Sequence, residues 1–335
     1  MSLTEGLAAY LGRHFGAPVV IDAMARISGG ASRETYRFDA IVADERRPMI
    51  LRRDPPGSLI ETDRRVEFEV IRSFQKAGVP APVPIVLETE GAELERPFFI
   101  MERVERGAPS SPFAPGGYGV HSSAIGEQFF SMLGRIAKPD PSMLPVGAVA
   151  EAPEPGACWR RELDYWAGVI DEDELHPQPI VRAAIRRLRA SPPPPAQKIS
   201  VVHGDYRSGN FLSEGAEITA ILDWEMAHLG DPLEDLGWAM DPLWSHFDDT
   251  RVAGMIPKDE ALAYWEAASG LTVDRQALAW WELFASVKGQ AIWISSTKEF
   301  VDGGYKEPIL AFSGLIPGRR HDEIIADRLC ALEGL

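Results

Sequence analysis

Hydrophobic positions in the first hundred residues change spacing several times, and each change predicts a new element. Short runs rich in β-branched and aromatic residues predict strands. Apolar positions three and four residues apart predict amphipathic helices. The predicted strands are 19–28, 35–43, 47–53 and 96–107, and the predicted helices are 1–15 and 61–77. Gly78 and Pro80 are typical of the end of the second helix.

Helical spacing dominates the rest of the chain. Helices are predicted at 122–138, 158–170, 179–190 and 279–296, with loops rich in Gly and Pro at 108–121 and 139–157. The segment 279–296 is the most apolar long stretch, but it carries Glu282 and Lys288. It therefore predicts a packed helix and not a membrane span.

Composition and charge exclude some classes of protein. The chain has 335 residues, 45% of them hydrophobic, enough for one large or two moderate domains. Its formal charge is −16, which argues against a nucleic-acid surface. That charge is compatible with a cationic substrate, although simple solubility is the favoured explanation. The two cysteines, Cys158 and Cys330, are far apart, so we expect a reducing, cytoplasmic environment and no disulfide scaffold.

Candidate chemistry concentrates in VVHGDYRSGNFL at 201–212 and the AILDWE segment that follows. In metal-dependent phosphoryl transfer an Asp accepts the proton of the attacking hydroxyl, an Asn five residues later binds Mg²⁺, and a further Asp binds metal below the phosphates. Asp205, Asn210 and Asp223 have this order and spacing. A hairpin turn at GAEIT, 215–219, is expected to bring Asp223 beside Asn210. Asn and Asp oxygens suit the hard ion Mg²⁺.

These motifs resemble the aminoglycoside phosphotransferase and choline kinase-like family. The nearer resemblance is to bacterial phosphotransferase-family proteins akin to the kinase-like domain fused to acyl-CoA dehydrogenases in animals. It rests on HGD-x4-N with D-W-E, and also on SGGASRETYRF, ILRRDPPG, VEFEVIRSF and PFFIMERV. It implies a two-lobed, protein-kinase-like α+β fold. Residues 1–103 would form a five-stranded antiparallel sheet with one long helix, and 104–335 a mainly helical lobe.

The resemblance also implies the cofactors and their site. ATP, with GTP as an alternative, would give its γ-phosphate to a hydroxyl of a small-molecule substrate, with Mg²⁺ as the metal. Paired glycines permit a tight hairpin whose N–H groups cover phosphates. Arg52 would hold the α- and β-phosphates, and the backbone near residues 101–104 would bind the adenine. The nucleotide site would thus include Gly29, Gly30, Ser32, Arg52, Glu67, Met101 and Val104.

Two acidic residues in the helix 61–77 compete to be the partner of Arg52. Glu67 has Val70, Ile71 and Phe74 at helical spacing, so it lies on the apolar stripe. Glu69 lies on the polar face. A carboxylate on a buried face requires a cation, so Glu67 is the predicted partner. Arg53 is expected to point to the other side of the strand as a surface charge.

Several nearby residues have structural interpretations. His203 is expected to bond the backbone of the metal loop, Asp231 to cap a helix, and Asp235 to brace the catalytic loop. A water-mediated contact of Glu225 with the metal is the less favoured hypothesis. The tryptophans of the C-terminal third predict core packing rather than a cage for a quaternary amine.

Three function classes follow. A small-molecule kinase is favoured. A nucleotide-binding pseudokinase is the first alternative, but a non-catalytic protein has no physical need for Asp205, Asn210 and Asp223 together. A metal-dependent hydrolase is the second, although further close ligands are not evident. Aminoglycoside, amino-alcohol, sugar and hydroxyacyl-CoA acceptors all stay open. No nucleic-acid or membrane partner is expected.

Overall fold

Five antiparallel strands form a sheet in the first part of the chain. The computed structural model describes residues 2–27, 34–54, 63–75, 77–111, 113–303 and 307–333. The strands are β1 (Val19–Ile27), β2 (Glu34–Val42), β3 (Glu45–Arg53), β4 (Pro84–Glu88) and β5 (Phe98–Glu102). Their order across the sheet is β1-β2-β3-β5-β4, so β5 lies between β3 and β4.

Two helices cover opposite faces of this sheet, where the family resemblance implied one long helix. Helix α1 (Leu3–Phe15) starts with a capping box between Ser2 and Glu5. Helix α2 (Arg64–Phe74) starts at Asp63, whose carboxylate accepts two backbone N–H bonds. Leu51 of β3 packs in a cluster with α1, whereas Ile50 belongs to the cluster that includes α2.

The alternation of side chains along β3 determines where its two arginines lie. Arg52 shares the α2 side with Ile50, as the period of two along a strand requires. Arg53 lies on the other side, but it is not a free surface charge as the sequence suggested. Its Nη2 lies 2.6 Å from Oε2 of Glu34, and only 13% of its side chain is exposed. A charge this deep in the sheet requires such a partner.

Helices build most of the remaining chain. They are α3 (Ser122–Ala137), α4 (Cys158–Asp173), α5 (Pro179–Ala190), α6 (Leu233–Ala239), α7 (Lys258–Ser269), α8 (Arg275–Asp302), α9 (Pro308–Leu315) and α10 (Pro317–Glu333). Short strands between them are β6 (Ala108–Pro109), β7 (Ser200–Val202), β8 (Phe211–Glu214), β9 (Glu217–Ile221) and β10 (His228–Gly230). Among the described residues, we find no helix with the length and apolarity that crossing a membrane requires.

The long helix α8 contacts α4, α5, α6, α9 and α10, and it is the packed helix that the pattern at 279–296 predicted. Its buried residues occur on every side, which is typical of a helix surrounded by others. Trp280 and Trp281 of this helix are buried, as are Trp238, Trp244 and Trp265. This burial favours the core-packing interpretation of these tryptophans over an amine cage. The antiparallel sheet and helical region together confirm the predicted α+β fold class.

Candidate active site

The HGD segment forms a loop between β7 and β8 that is held by its main chain. Asp235 of α6 accepts hydrogen bonds from the N–H groups of His203, at 2.6 Å, and Gly204, at 2.9 Å. Burial raises the pKa of Asp235 to about 6. Gly204 has a φ of +84°, and a Cβ there would collide with the backbone of Met226. The loop conformation therefore depends on this glycine and on the brace that was expected from Asp235.

His203 connects the loop to the strand end that carries Asp223. Its Nε2 lies 2.9 Å from the carbonyl oxygen of Leu222, and its Nδ1 accepts a bond from the N–H of Asp205 at 3.2 Å. Burial lowers the pKa of His203 to about 4. A neutral imidazole that donates through Nε2 and accepts through Nδ1 satisfies both contacts. The geometry is that of a structural histidine, as the sequence predicted.

Three donors surround the carboxylate of Asp205. Asn210 donates its Nδ2 to Oδ2 at 2.5 Å, while Arg207 Nε and Trp238 Nε1 donate to Oδ1 at 3.1 and 2.8 Å. Burial raises the pKa of Asp205, and the Arg207 guanidinium partly offsets this rise. The carboxylate is thus fixed in one orientation, at a site where 15% of the side chain is exposed.

Asp223 reaches the same site through the β8–β9 hairpin. The turn is confined to residues 215–216, shorter than the expected 215–219, because β9 already begins at Glu217. Leu222 N–H donates to the carbonyl of Asn210 at 2.8 Å, which places Asp223 beside the HGD loop. Asp223 adopts a left-handed backbone conformation, φ +64° and ψ +55°. Its carboxylate is 41% exposed and stays accessible to a ligand.

Arg52 lies at the centre of three carboxylates. Its guanidinium nitrogens lie 3.0 Å from Glu67, 3.2 Å from Asp223 and 2.5 Å from Glu225. Burial lowers the pKa of Arg52, but Glu67, Glu225 and Asp223 outweigh it and raise the pKa above the usual range. The contact between Arg52 and Glu67 that the sequence predicted is present, and Glu225 contacts the arginine.

Glu69 lies apart from this cluster. Its carboxylate pairs with Arg72, one turn further along α2, at 2.7 Å. The Arg72 side chain is 54% exposed. The helical period separates the two glutamates of α2: Glu67 is fully buried beside Arg52, whereas Glu69 is 14% exposed and pairs with Arg72.

Some predicted nucleotide contacts cannot be placed. Gly29, Gly30 and Ser32 lie outside the described residues. Met101 is buried at the end of β5, and Val104 follows two residues beyond that strand. The intervening N–H groups of Glu102 and Arg103 donate to main-chain carbonyls at 2.8 and 3.0 Å. Adenine contacts at Met101 and Val104 stay predictions.

Sequence reasoning did not assign a role to three residues in or beside the HGD loop. Trp238 and Arg207 both donate to Asp205, and Arg207 also lies 4.9 Å from the ring of Trp244. Lys288 donates to the carbonyl of Gly204 at 2.6 Å. The available signal was Lys288 itself, because a charge inside an apolar helix requires a buried partner.

The sheet and the helical region that carries the HGD loop form a protein-kinase-like fold of the kind found in small-molecule phosphotransferases. The sequence model of the phosphotransferase enzyme family matches residues 23–281, most of the chain. This protein therefore belongs to the phosphotransferase enzyme family, which confirms the predicted resemblance. The family supports small-molecule phosphotransfer by a kinase-type enzyme.

Curated relatives are longer proteins. Mouse acyl-CoA dehydrogenase family member 10 is 28% identical over 242 residues, which cover 71% of this chain and 22% of that protein. Human acyl-CoA dehydrogenase family member 11 is 25% identical over 241 residues, covering 70% of this chain and 30% of that protein. This chain thus matches less than a third of the length of either relative.

Solved structures share the fold at lower identity. A Ralstonia eutropha protein described as a candidate aminoglycoside phosphotransferase has a TM-score of 0.75 and 21% identity, with 97% of both chains covered. The ternary complex of aminoglycoside phosphotransferase APH(4)-Ia with AMP-PNP and hygromycin B has a TM-score of 0.61 and 20% identity. It covers 96% of this chain and 98% of the other.

Proposed function

We propose that this protein transfers the γ-phosphate of Mg–ATP to a hydroxyl group of a small molecule. The observation that carries the proposal is that Arg52 of β3 meets, at one site, the side chains of Asp205, Asn210 and Asp223, which lie far from it in the chain. Phosphoryl transfer needs mainly positioning and charge stabilisation, and these side chains offer both.

Asp205 would accept the proton of the attacking hydroxyl, or orient that hydroxyl. Its Oδ1 is held by Trp238 and Arg207 and its Oδ2 by Asn210, so the group does not have to reorganise when substrate binds. The raised pKa brings this carboxylate closer to the range of an effective base.

Asn210 and Asp223 would hold Mg²⁺, and the site fits such an ion. Asn210 turns its amide nitrogen toward Asp205, which leaves its carbonyl oxygen for a cation. Asp223 lies beside Asn210 with 41% of its side chain exposed, so it offers an anionic oxygen to such an ion. Mg²⁺ bound there would neutralise charge on the phosphates. Arg52, positioned by Glu67, would contact the α- and β-phosphates.

A hydroxyacyl-CoA is the acceptor we favour. The matched region of the curated relatives is part of longer proteins that are called acyl-CoA dehydrogenase family members. The mouse relative is 28% identical to this chain, a higher identity than that of the solved structures described above. The hygromycin complex shares only the fold at 20% identity. We propose accordingly that the helical region from residue 104 onward binds the acyl thioester and that residues 1–103 bind the nucleotide.

The test is a nucleotide-consumption screen with Mg²⁺ and either ATP or GTP. The acceptor panel contains hydroxyacyl-CoAs that differ in hydroxyl position, amino alcohols, sugars and an aminoglycoside. Asp205→Ala is the control, because it should lose acceptor-dependent turnover. We expect hydroxyacyl-CoA to stimulate consumption and to gain one phosphate by mass. Consumption that no acceptor stimulates above the Asp205→Ala background would favour the pseudokinase alternative, and turnover of another panel member would replace the acyl-CoA assignment.

A further inference from the structure

A buried cation supports the catalytic loop from below. Lys288 of α8 has only 2% of its side chain exposed. Its Nζ donates to the carbonyl of Gly204, the residue before Asp205, at 2.6 Å, and lies 3.0 Å from Glu234. Burying an ammonium group is unfavourable unless it is paired and hydrogen-bonded. Lys288 therefore holds a main-chain atom of the loop with a strong, desolvated contact.

The carboxylates around Lys288 are neutralised within the protein. His228 Nε2 lies 3.1 Å from Glu234 and 3.5 Å from Glu162, and Arg161 lies 3.0 Å from Glu162. Although these two glutamates and His228 could hold a metal ion by geometry, Lys288 and Arg161 already supply the positive charge. We interpret the cluster as the support of Lys288, not as a metal site.

Trp238 connects this cation to the catalytic carboxylate. The Lys288 Nζ lies 5.4 Å from the centre of the Trp238 ring, within the range of a cation–π contact. The indole Nε1–H, the single donor of that side chain, bonds Asp205 Oδ1 at 2.8 Å. Trp238 is 1% exposed and is packed in α6, so its N–H has a fixed direction.

We propose that Trp238 and Lys288 are positioning residues for Asp205, with Lys288 fixing the main chain at Gly204 and Trp238 fixing the direction of the carboxylate. The role in catalysis rests on the function proposed above, whereas the contacts themselves can be tested without substrate. Neither side chain has to touch the nucleotide, so their effect should appear in turnover and not in nucleotide affinity.

The kinetic test compares Trp238→Phe with Trp265→Phe. Both tryptophans are 1% exposed, so each change removes a similar volume from the core. Trp265 Nε1 has no hydrogen-bond partner among the described residues, which makes it the matched control. We expect kcat of Trp238→Phe to fall about 10- to 100-fold with nucleotide KM within about twofold. Trp265→Phe should keep the wild-type kcat, and equal kcat values in the two variants would overturn the proposal.

A spectroscopic test works without an acceptor. The indole ¹H–¹⁵N resonance of Trp238 is identified by its loss in Trp238→Phe. Asp205→Asn should shift it, because a charged acceptor is replaced by a neutral one, while the Trp265 resonance should stay in place. An unmoved Trp238 resonance would overturn the positioning proposal. If every variant including wild type lacks turnover, the phosphotransfer proposal fails, and the resonance alone decides the positioning proposal.

Discussion

Replacing Glu67 by Gln should weaken Mg–nucleotide binding more than it weakens the fold. The Glu67 side chain is fully buried, 3.0 Å from Arg52, and Gln has nearly the same shape without the charge. The two groups form a buried ion pair, and we assign this contact the energy of a charge-assisted interaction, about 1.5–3 kcal/mol. Arg52 keeps Asp223 and Glu225 as partners. We therefore expect the free energy of unfolding to fall by only about 1–2 kcal/mol.

The loss of nucleotide affinity should be larger than the loss of stability. In the Glu67→Gln variant, the charged partners of Arg52 described above are only Asp223 and Glu225. Without Glu67, Arg52 is drawn toward Asp223 and away from the phosphates. If half or more of the bond energy is lost from binding, the Kd for Mg–nucleotide rises about 10- to 100-fold, at about 1.4 kcal/mol for each factor of ten.

Glu69→Gln is the matched control in the same helix. Glu69 is 14% exposed and pairs with Arg72 at 2.7 Å instead of Arg52, so its replacement should leave the nucleotide affinity unchanged even if it lowers the stability of the fold. Calorimetric titration of Mg–AMP-PNP into both variants measures the affinity, and thermal melts without nucleotide measure the fold. A Kd for Glu67→Gln within twofold of wild type, or an equal loss in Glu69→Gln, would refute the reasoning.

Three further predictions concern the same region. Asp223→Ala should weaken Mg–nucleotide binding by calorimetry, whereas Asp205→Ala should bind normally and lose turnover by about 10²–10⁴-fold; equal loss of binding would contradict these roles. Arg52→Lys should raise the nucleotide KM with the fold intact, and Arg52→Ala should also lower the melting temperature because it leaves Glu67 buried without this cation; unchanged kinetics in both would show that Arg52 does not bind phosphate. Burial lowers the pKa of His228, but the adjacent Glu162 and Glu234 outweigh burial and raise it to about 9. The charged His228 therefore stabilises the folded protein fully below the unfolded pKa of about 6.5, and this stabilisation is lost as the pH rises through 9. Between about pH 6.5 and 9, the melting temperature of His228→Gln should fall less than that of the wild type. The same fall in both proteins would contradict this role of His228.

The parts of the site that sequence could predict depend on local periodicity. The period of two along β3 separated Arg52 from Arg53, and the helical period separated Glu67 from Glu69. Because both periods are properties of a single element, a face could be assigned to each residue without the fold. The error about Arg53 came from Glu34, whose position beside it depends on strand pairing between β2 and β3.

The missed contacts depend instead on how distant elements pack. Trp238 is 33 residues from Asp205, and Lys288 is 84 residues from Gly204. The spacing of apolar residues within α6 or α8 does not predict which loop packs against either helix. The insertion of β5 between β3 and β4 is equally a property of the whole sheet. The family resemblance implied that Arg52 and Asp223 share a site, but not that they would be in direct contact.

That direct contact has a consequence for how nucleotide can bind. Arg52 cannot turn fully to phosphate while it bonds Asp223 and Glu225, and Asp223 cannot give all its charge to a metal while it bonds Arg52. A free nucleotide would bring negative phosphates close to the exposed carboxylate of Asp223. If Mg²⁺ binds as proposed, Asp223 would be one of the residues that hold it, and Arg52 would then be available to the phosphates. We therefore propose that the nucleotide binds as its Mg²⁺ complex, with Glu67 keeping Arg52 in place as its other partners change.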